Sequence, residues 1–126
     1  MRVFKTKPFT RFANHEEITD TELCEAIRGV EKGLLDADLG GGVIKLRLAR
    51  PGQGKSGGLR SIVLFRREEK AFFVYGFAKS SLGNIKRDEL QAFRKLAASM
   101  LALNDKALAA AIRNGTIMEL DYGQEI

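Results

Sequence analysis

One cysteine and one histidine are the whole thiolate and imidazole inventory of this chain of 126 residues. The lone Cys24 excludes an internal disulfide and fits a reducing compartment. With His15 as its single imidazole companion, it leaves a structural zinc site short of ligands, so neither a metal nor any other cofactor is expected. No apolar run approaches the ~20 residues that a membrane-crossing helix needs. The opening residues, Met1-Arg2-Val3-Phe4-Lys5, lack the apolar core of a signal peptide. A cytoplasmic protein without membrane contact is therefore expected. Internal repeats and low-complexity linkers are missing too. What is present, 44% hydrophobic and 29% charged residues, describes a folded globule rather than a disordered chain. The length suits a single domain over residues 1–126, which buries roughly two thirds of the surface its unfolded chain exposes.

The pattern predicts an α+β fold. Val3-Phe4-Lys5 reads as a short strand, and Pro8 opens a brief helix to about Asn14. Thr19-Asp20-Thr21-Glu22 is a capping box, behind which Leu23, Ile27, Val30 and Leu34 recur at helical spacing, with Gly33 as the stop. Cys24 beside that stripe reads as a small core residue. After Gly40-Gly41-Gly42 the period changes to two: Ile44, Leu46 and Leu48 point one way, Lys45 and Arg47 the other. Leu59 to Phe65 and Ala71 to Ala78 follow as strands joined by the turn Arg67-Glu68-Glu69-Lys70, which makes them antiparallel neighbours. Helical spacing returns from Lys86 through Leu90, Phe93, Ala97, Met100 and Leu101. A shorter helix is expected from Asp105 to Asn114, then a last strand from Thr116 to Leu120. The expected architecture is a small twisted antiparallel sheet with helices packed on one face.

Negative charge is scarce in the middle of the chain. From Val43 to Lys79 there are nine basic residues (Lys45, Arg47, Arg50, Lys55, Arg60, Arg66, Arg67, Lys70, Lys79) against Glu68 and Glu69, a local charge of +7. The whole chain carries +5, so the remainder sums to −2. Cations concentrated on one sheet of a nearly neutral body point to a polyanion, foremost nucleic acid. Solubility alone would more often alternate signs on such a face.

Gly54-Lys55-Ser56 imitates a nucleotide-binding P-loop, but the imitation fails. The first glycine position of that motif holds Ala49, and Gly57-Gly58 stand where a phosphate-cradling helix must begin. The glycine-rich stretch from Gly52 to Gly58 instead reads as a mobile basic hairpin loop whose backbone can approach a phosphodiester. In the third strand, Ala71 to Lys79, alternation places Phe73, Tyr75, Phe77 and Lys79 on one side. Aromatic rings on a cationic face stack on splayed bases, though a phenylalanine-rich strand is commonly core; Tyr75 and Lys79, with polar tips, are the stronger candidates. His15, in a polar turn, reads as a surface residue.

The run from Gly41 to Arg50, then Gly52 to Arg60, then Phe72 to Lys79 carries the pattern K-x-R … G-K-S-G-G-x-R … Y-x-F-A-K. This resembles the RelE/HigB-type toxins of type II toxin–antitoxin modules, over about Val3 to Leu103. The resemblance implies a RelE-like core over about residues 3–103, with residues 104–126 as a helix and strand extension. It also implies a metal-independent endoribonuclease that cuts mRNA on the ribosome, stops translation, and is neutralised by a cognate antitoxin of helix-turn-helix type. Such cleavage needs stabilisation of phosphorane charge and proton transfer at the 2′ and 5′ oxygens. Arginine and lysine can supply the first, and lysine or tyrosine the second. By that resemblance Lys45, Arg47 and Arg60 are the catalytic candidates, and Arg50, Lys55, Tyr75 and Lys79 the RNA-binding ones. The related ParE branch poisons DNA gyrase on the same scaffold, and a non-catalytic nucleic-acid-binding module is the third reading.

Overall fold

A computed structural model describes residues 1–50, 54–78 and 85–123, with the side chains of residues 50 and 54–57 outside the description. The chain opens with β1 (Arg2–Thr6), α1 (Lys7–His15) and α2 (Asp20–Glu31). It continues through β2 (Ala37–Gly40), β3 (Val43–Arg50), β4 (Gly54–Arg66) and β5 (Lys70–Ala78). It closes with α3 (Arg87–Met100), α4 (Asp105–Arg113) and β6 (Ile117–Leu120). Local chemistry sets several boundaries. Thr6 accepts from the Phe9 amide with Pro at the start of α1, and the Thr19–Glu22 capping box opens α2 with both of its hydrogen bonds in place. Helix α2 ends in a Schellman motif, in which the Leu34 amide bonds the Gly29 carbonyl, the Gly33 amide bonds Val30, and Gly33 takes a φ of +90°. That stop falls before Leu34, which therefore leaves the apolar stripe and stands 68% exposed.

The six strands form one sheet in the order β2-β3-β4-β5-β1-β6. Every neighbouring pair is antiparallel except β1 and β5, which run parallel. This is the expected α+β class. The helices, however, divide between both faces of the sheet instead of sharing one. Phe9, Leu23 and Ile27 from α1 and α2 pack with Leu46, Leu48 and Phe73, whereas Ala97, Leu101 and Leu108 from the C-terminal helical region pack with Phe4, Ile62 and Phe72. The reason lies in the central strands. Val63 and Leu64, and likewise Phe72 and Phe73, are consecutive and fully buried, so both faces carry apolar side chains that need cover. Cys24 lies in the first of these cores, where burial pushes its thiol up, the reverse of what a nucleophilic thiolate requires.

Two further departures bear on the site. Strand β4 begins at Gly54, paired with Arg50, so the second half of the expected glycine-rich loop belongs to the strand, with the register shifting between Leu48 and Arg50. In β5 the register slips: Ile62 opposes Tyr75 but Val63 opposes Phe73, leaving Val74 as the extra residue of a β-bulge. The bulge breaks the expected alternation. Phe73 turns to the α1/α2 core, while Tyr75 and Phe77 turn to the opposite face. Among the described residues no helix is long and apolar enough to cross a membrane.

Candidate nucleic-acid interface

The β3–β4 ladder places Arg47 directly opposite Arg60 and Lys45 opposite Ile62, so three cations gather at one end of the α3/α4 face. Like charges facing across a ladder repel, and such a cluster needs a counter-ion. Asp36, in the bend before β2, supplies it. Its Oδ1 accepts from Arg47 Nε at 2.9 Å, and its Oδ2 lies 3.4 Å from Lys45 Nζ and 3.6 Å from Arg60 Nε. Three cations on one carboxylate leave a net charge of +2 (3 − 1). Burial alone would raise the Asp36 pKa, but the Arg47 hydrogen bond and the Lys45 charge hold it below the usual carboxylate range.

Exposure separates the three cations. The Arg47 side chain is 53% exposed, Lys45 is 22%, and Arg60 is 5%, with its Nη1 also donating to the Leu59 carbonyl. The expected catalytic trio is thus brought together, but only Arg47 presents a guanidinium broadly to solvent. Arg47 also borders a cleft of about 320 Å³ lined by Ala26, Gly29, Leu34, Leu35, Asp36 and Leu46, which opens between α2 and the edge of β3. The hollow beside the cations therefore lies at the margin of the sheet rather than over its face. Tyr75 shares the cationic face, yet its ring is engaged by Phe77 (centroids 5.8 Å apart, stacked) and by Phe93 of α3 (5.7 Å, tilted). Arg50 and Lys55 sit on described backbone, but their side chains, and all of Lys79, lie outside the described residues.

The other cations of the basic segment do different work. Arg66 Nη1 and Lys70 Nζ donate to the Leu101 carbonyl at 3.1 Å, and Lys70 also donates to Leu103. Arg67 Nη1 donates to the Glu31 carbonyl at 3.2 Å. These side chains satisfy orphan carbonyls where α3 and α2 end, where cations also complement the helix dipole. His15 is a surface side chain, as expected, paired with Glu16. Among the described residues no group of His, Cys, Asp or Glu side chains is placed to hold a metal ion.

The model of the RelE toxin family, described as the RelE toxin of the RelE / RelB toxin-antitoxin system, matches residues 1–120. The chain belongs to this family. It is a toxin of a toxin–antitoxin module, and toxins of this kind pair with a cognate antitoxin. The family match runs through α4 and β6, the latter hydrogen-bonded to β1 from Val3–Leu120 to Thr6–Ile117. No protein of curated function matches the chain.

Asp36 was not legible as part of the site. It belongs to no periodic segment, and the one available signal was a carboxylate a few residues ahead of a strand that carries only cations as charged groups. Its contribution to the toxin's stability has a definite sign. A carboxyl held below its unfolded value stabilises the fold above the unfolded pKa, and that contribution is lost as pH falls through the folded pKa. Glu119 acts the same way, held low by two hydrogen bonds from Arg2, each 2.8 Å, against the opposing effect of burial. Denaturant unfolding should therefore show stability constant near neutrality and falling as pH drops below about 4. Asp36→Asn should make that fall shallower, and an unchanged slope would remove Asp36 from the account.

Proposed function

We propose that this toxin cleaves mRNA on the ribosome, using the ribose 2′-hydroxyl as nucleophile. The observation that carries the reading is the convergence of Lys45, Arg47 and Arg60 within 3.6 Å of one carboxylate, leaving surplus positive charge beside an open cleft. In the reaction the 2′ oxygen bonds to the adjacent phosphorus and the bond to the 5′ oxygen breaks. One proton passes from the 2′ hydroxyl to solvent water and another arrives on the departing 5′ oxygen. The phosphorane carries more negative charge than the diester, so fixed cations bind it more tightly than the ground state.

Arg47, the exposed member, is assigned the scissile phosphate. Lys45, which shares the Asp36 carboxylate with Arg47 and carries transferable protons, is assigned the leaving 5′ oxygen. Arg60 contributes charge from beneath, its guanidinium fixed by Asp36 and the Leu59 carbonyl. Tyr75 offers the edge of an aromatic group to a neighbouring base, and Arg50, Lys55 and Lys79 are assigned the RNA backbone. Recognition is largely electrostatic, with affinity falling steeply as salt rises.

Primer extension on a translated message tests the reading. Cuts are expected on ribosome-bound RNA and not on the same RNA free in solution. Leucine incorporation that continues at the uninduced rate after the toxin is expressed would overturn it. Damage to DNA with translation intact would point to gyrase instead.

A further inference from the structure

We propose that Asp36 is an exchangeable counter-ion, holding the Arg47 guanidinium until a phosphate of the RNA takes its place. The inference rests on the ribonuclease reading for its catalytic consequence but not for its binding consequence. Three observations carry it. First, Asp36 engages the trio with both carboxylate oxygens, Oδ1 on Arg47 and Oδ2 on Lys45 and Arg60, so one small side chain orders all three heads. Second, the carboxylate is itself largely covered, its side chain 12% exposed, whereas Arg47 opposite it is more than half exposed. A ligand arriving from solvent thus meets Arg47 first and reaches Arg60 last. Third, the cleft beside the pair is lined by both Asp36 and Arg47, so a phosphate entering it competes directly for the same guanidinium.

The chemistry favours exchange over a role as proton acceptor. A carboxylate held below its usual pKa by two cations is a poor base, but it is a good stand-in for a phosphate oxygen facing an arginine fork. In the resting toxin it cancels the repulsion between Arg47 and Arg60 and keeps the cluster pre-aligned. When RNA binds, Arg47 passes to the phosphate while Asp36 retains Lys45 and Arg60. Asp36 is then a positioning residue: it touches the groups that touch the substrate.

Three measurements on full-length toxin test this, the first two with a short RNA carrying a 2′-deoxy sugar at the scissile position, which binds without being cut, and the third with a translated message. In wild-type toxin, NMR of the arginine Nε–H groups should show Arg47 shifting on RNA addition while Arg60 stays in place. In Asp36→Asn the competing charge is gone, so this RNA should bind roughly two- to fivefold tighter, the worth of one solvent-screened pair. Cleavage at saturating message should nevertheless fall by about tenfold or more, because the cluster is no longer aligned. Binding of this RNA that is weaker or unchanged in Asp36→Asn overturns the proposal. A wild-type Arg47 signal that does not move on saturation with RNA also overturns it, whether or not the variant folds. If wild-type toxin binds the RNA with these shifts yet cuts no message, the ribonuclease reading fails and the counter-ion role stands.

Discussion

Arg47→Ala is expected to abolish growth arrest on induction, with message cleavage reduced by about 100-fold or more, the usual effect of removing one donor aimed at developing charge. The toxin should remain folded. The Arg47 side chain is more than half exposed, and the Asp36 it pairs with keeps Lys45 and Arg60 as partners. Thermal melting within a few degrees of wild type, together with lost primer-extension stops, is the expected pair of results. Arg60→Ala makes the instructive contrast. That guanidinium is buried, so its removal strips Asp36 of a partner and opens space inside the sheet, and both melting temperature and activity should fall. Cleavage by Arg47→Ala within about threefold of wild type would move the scissile phosphate away from this cluster, since a transition-state donor cannot be lost so lightly.

The second large effect is on the fold. A Cβ built on Gly76 would sit 2.2 Å from both Cδ2 and Cε2 of Phe12, well inside any tolerable contact. Phe12, on α1, is tied into the core beside Phe9, whose ring centroid lies 5.7 Å away. Gly76→Ala must therefore displace a packed ring or the strand beneath it. A loss of about 1–3 kcal/mol is expected, lowering Tm by roughly 5–15 °C. Trimming the ring should relieve the clash. Gly76→Ala combined with Phe12→Leu should be less destabilised than the sum of the two single changes, the mark of residues in direct contact. A Gly76→Ala protein that melts with wild type would show that Phe12 swings aside at no cost.

Much of this fold was legible in the chain because its signals are local. Thr19 and Glu22 mark the start of α2, Gly33 marks its end, and the change from a period of 3.6 to a period of two at Gly42 announces the sheet. The bulge at Val74 was not legible. The run from Phe72 to Phe77 alternates acceptably in either register, and only pairing with β4 decides which residue is the extra one. The same limit applied to the cations. Lys45 and Arg47 fall on one face by simple alternation, and Arg60 joins them through the β3–β4 register. Arg66, Arg67 and Lys70 look identical to them in sequence, yet they serve the ends of helices distant along the chain. Whether a cation faces a ligand or a carbonyl is decided by tertiary approach, which the local pattern does not encode.

The parallel seat of β1 has a consequence for how the molecule is assembled. The amino-terminal strand has no neighbour of its own until Lys70–Ala78 has been synthesised, and its other flank is filled only by Ile117–Leu120. Antiparallel pairing can run from β2 to β5 as each strand appears, but that ribbon keeps a bare margin at β5 until the beginning of the chain returns to it. Contacts so far apart in sequence close slowly. A nascent toxin should therefore complete its sheet only after Ile117–Leu120 is free, with β1 and β6 covering that margin together.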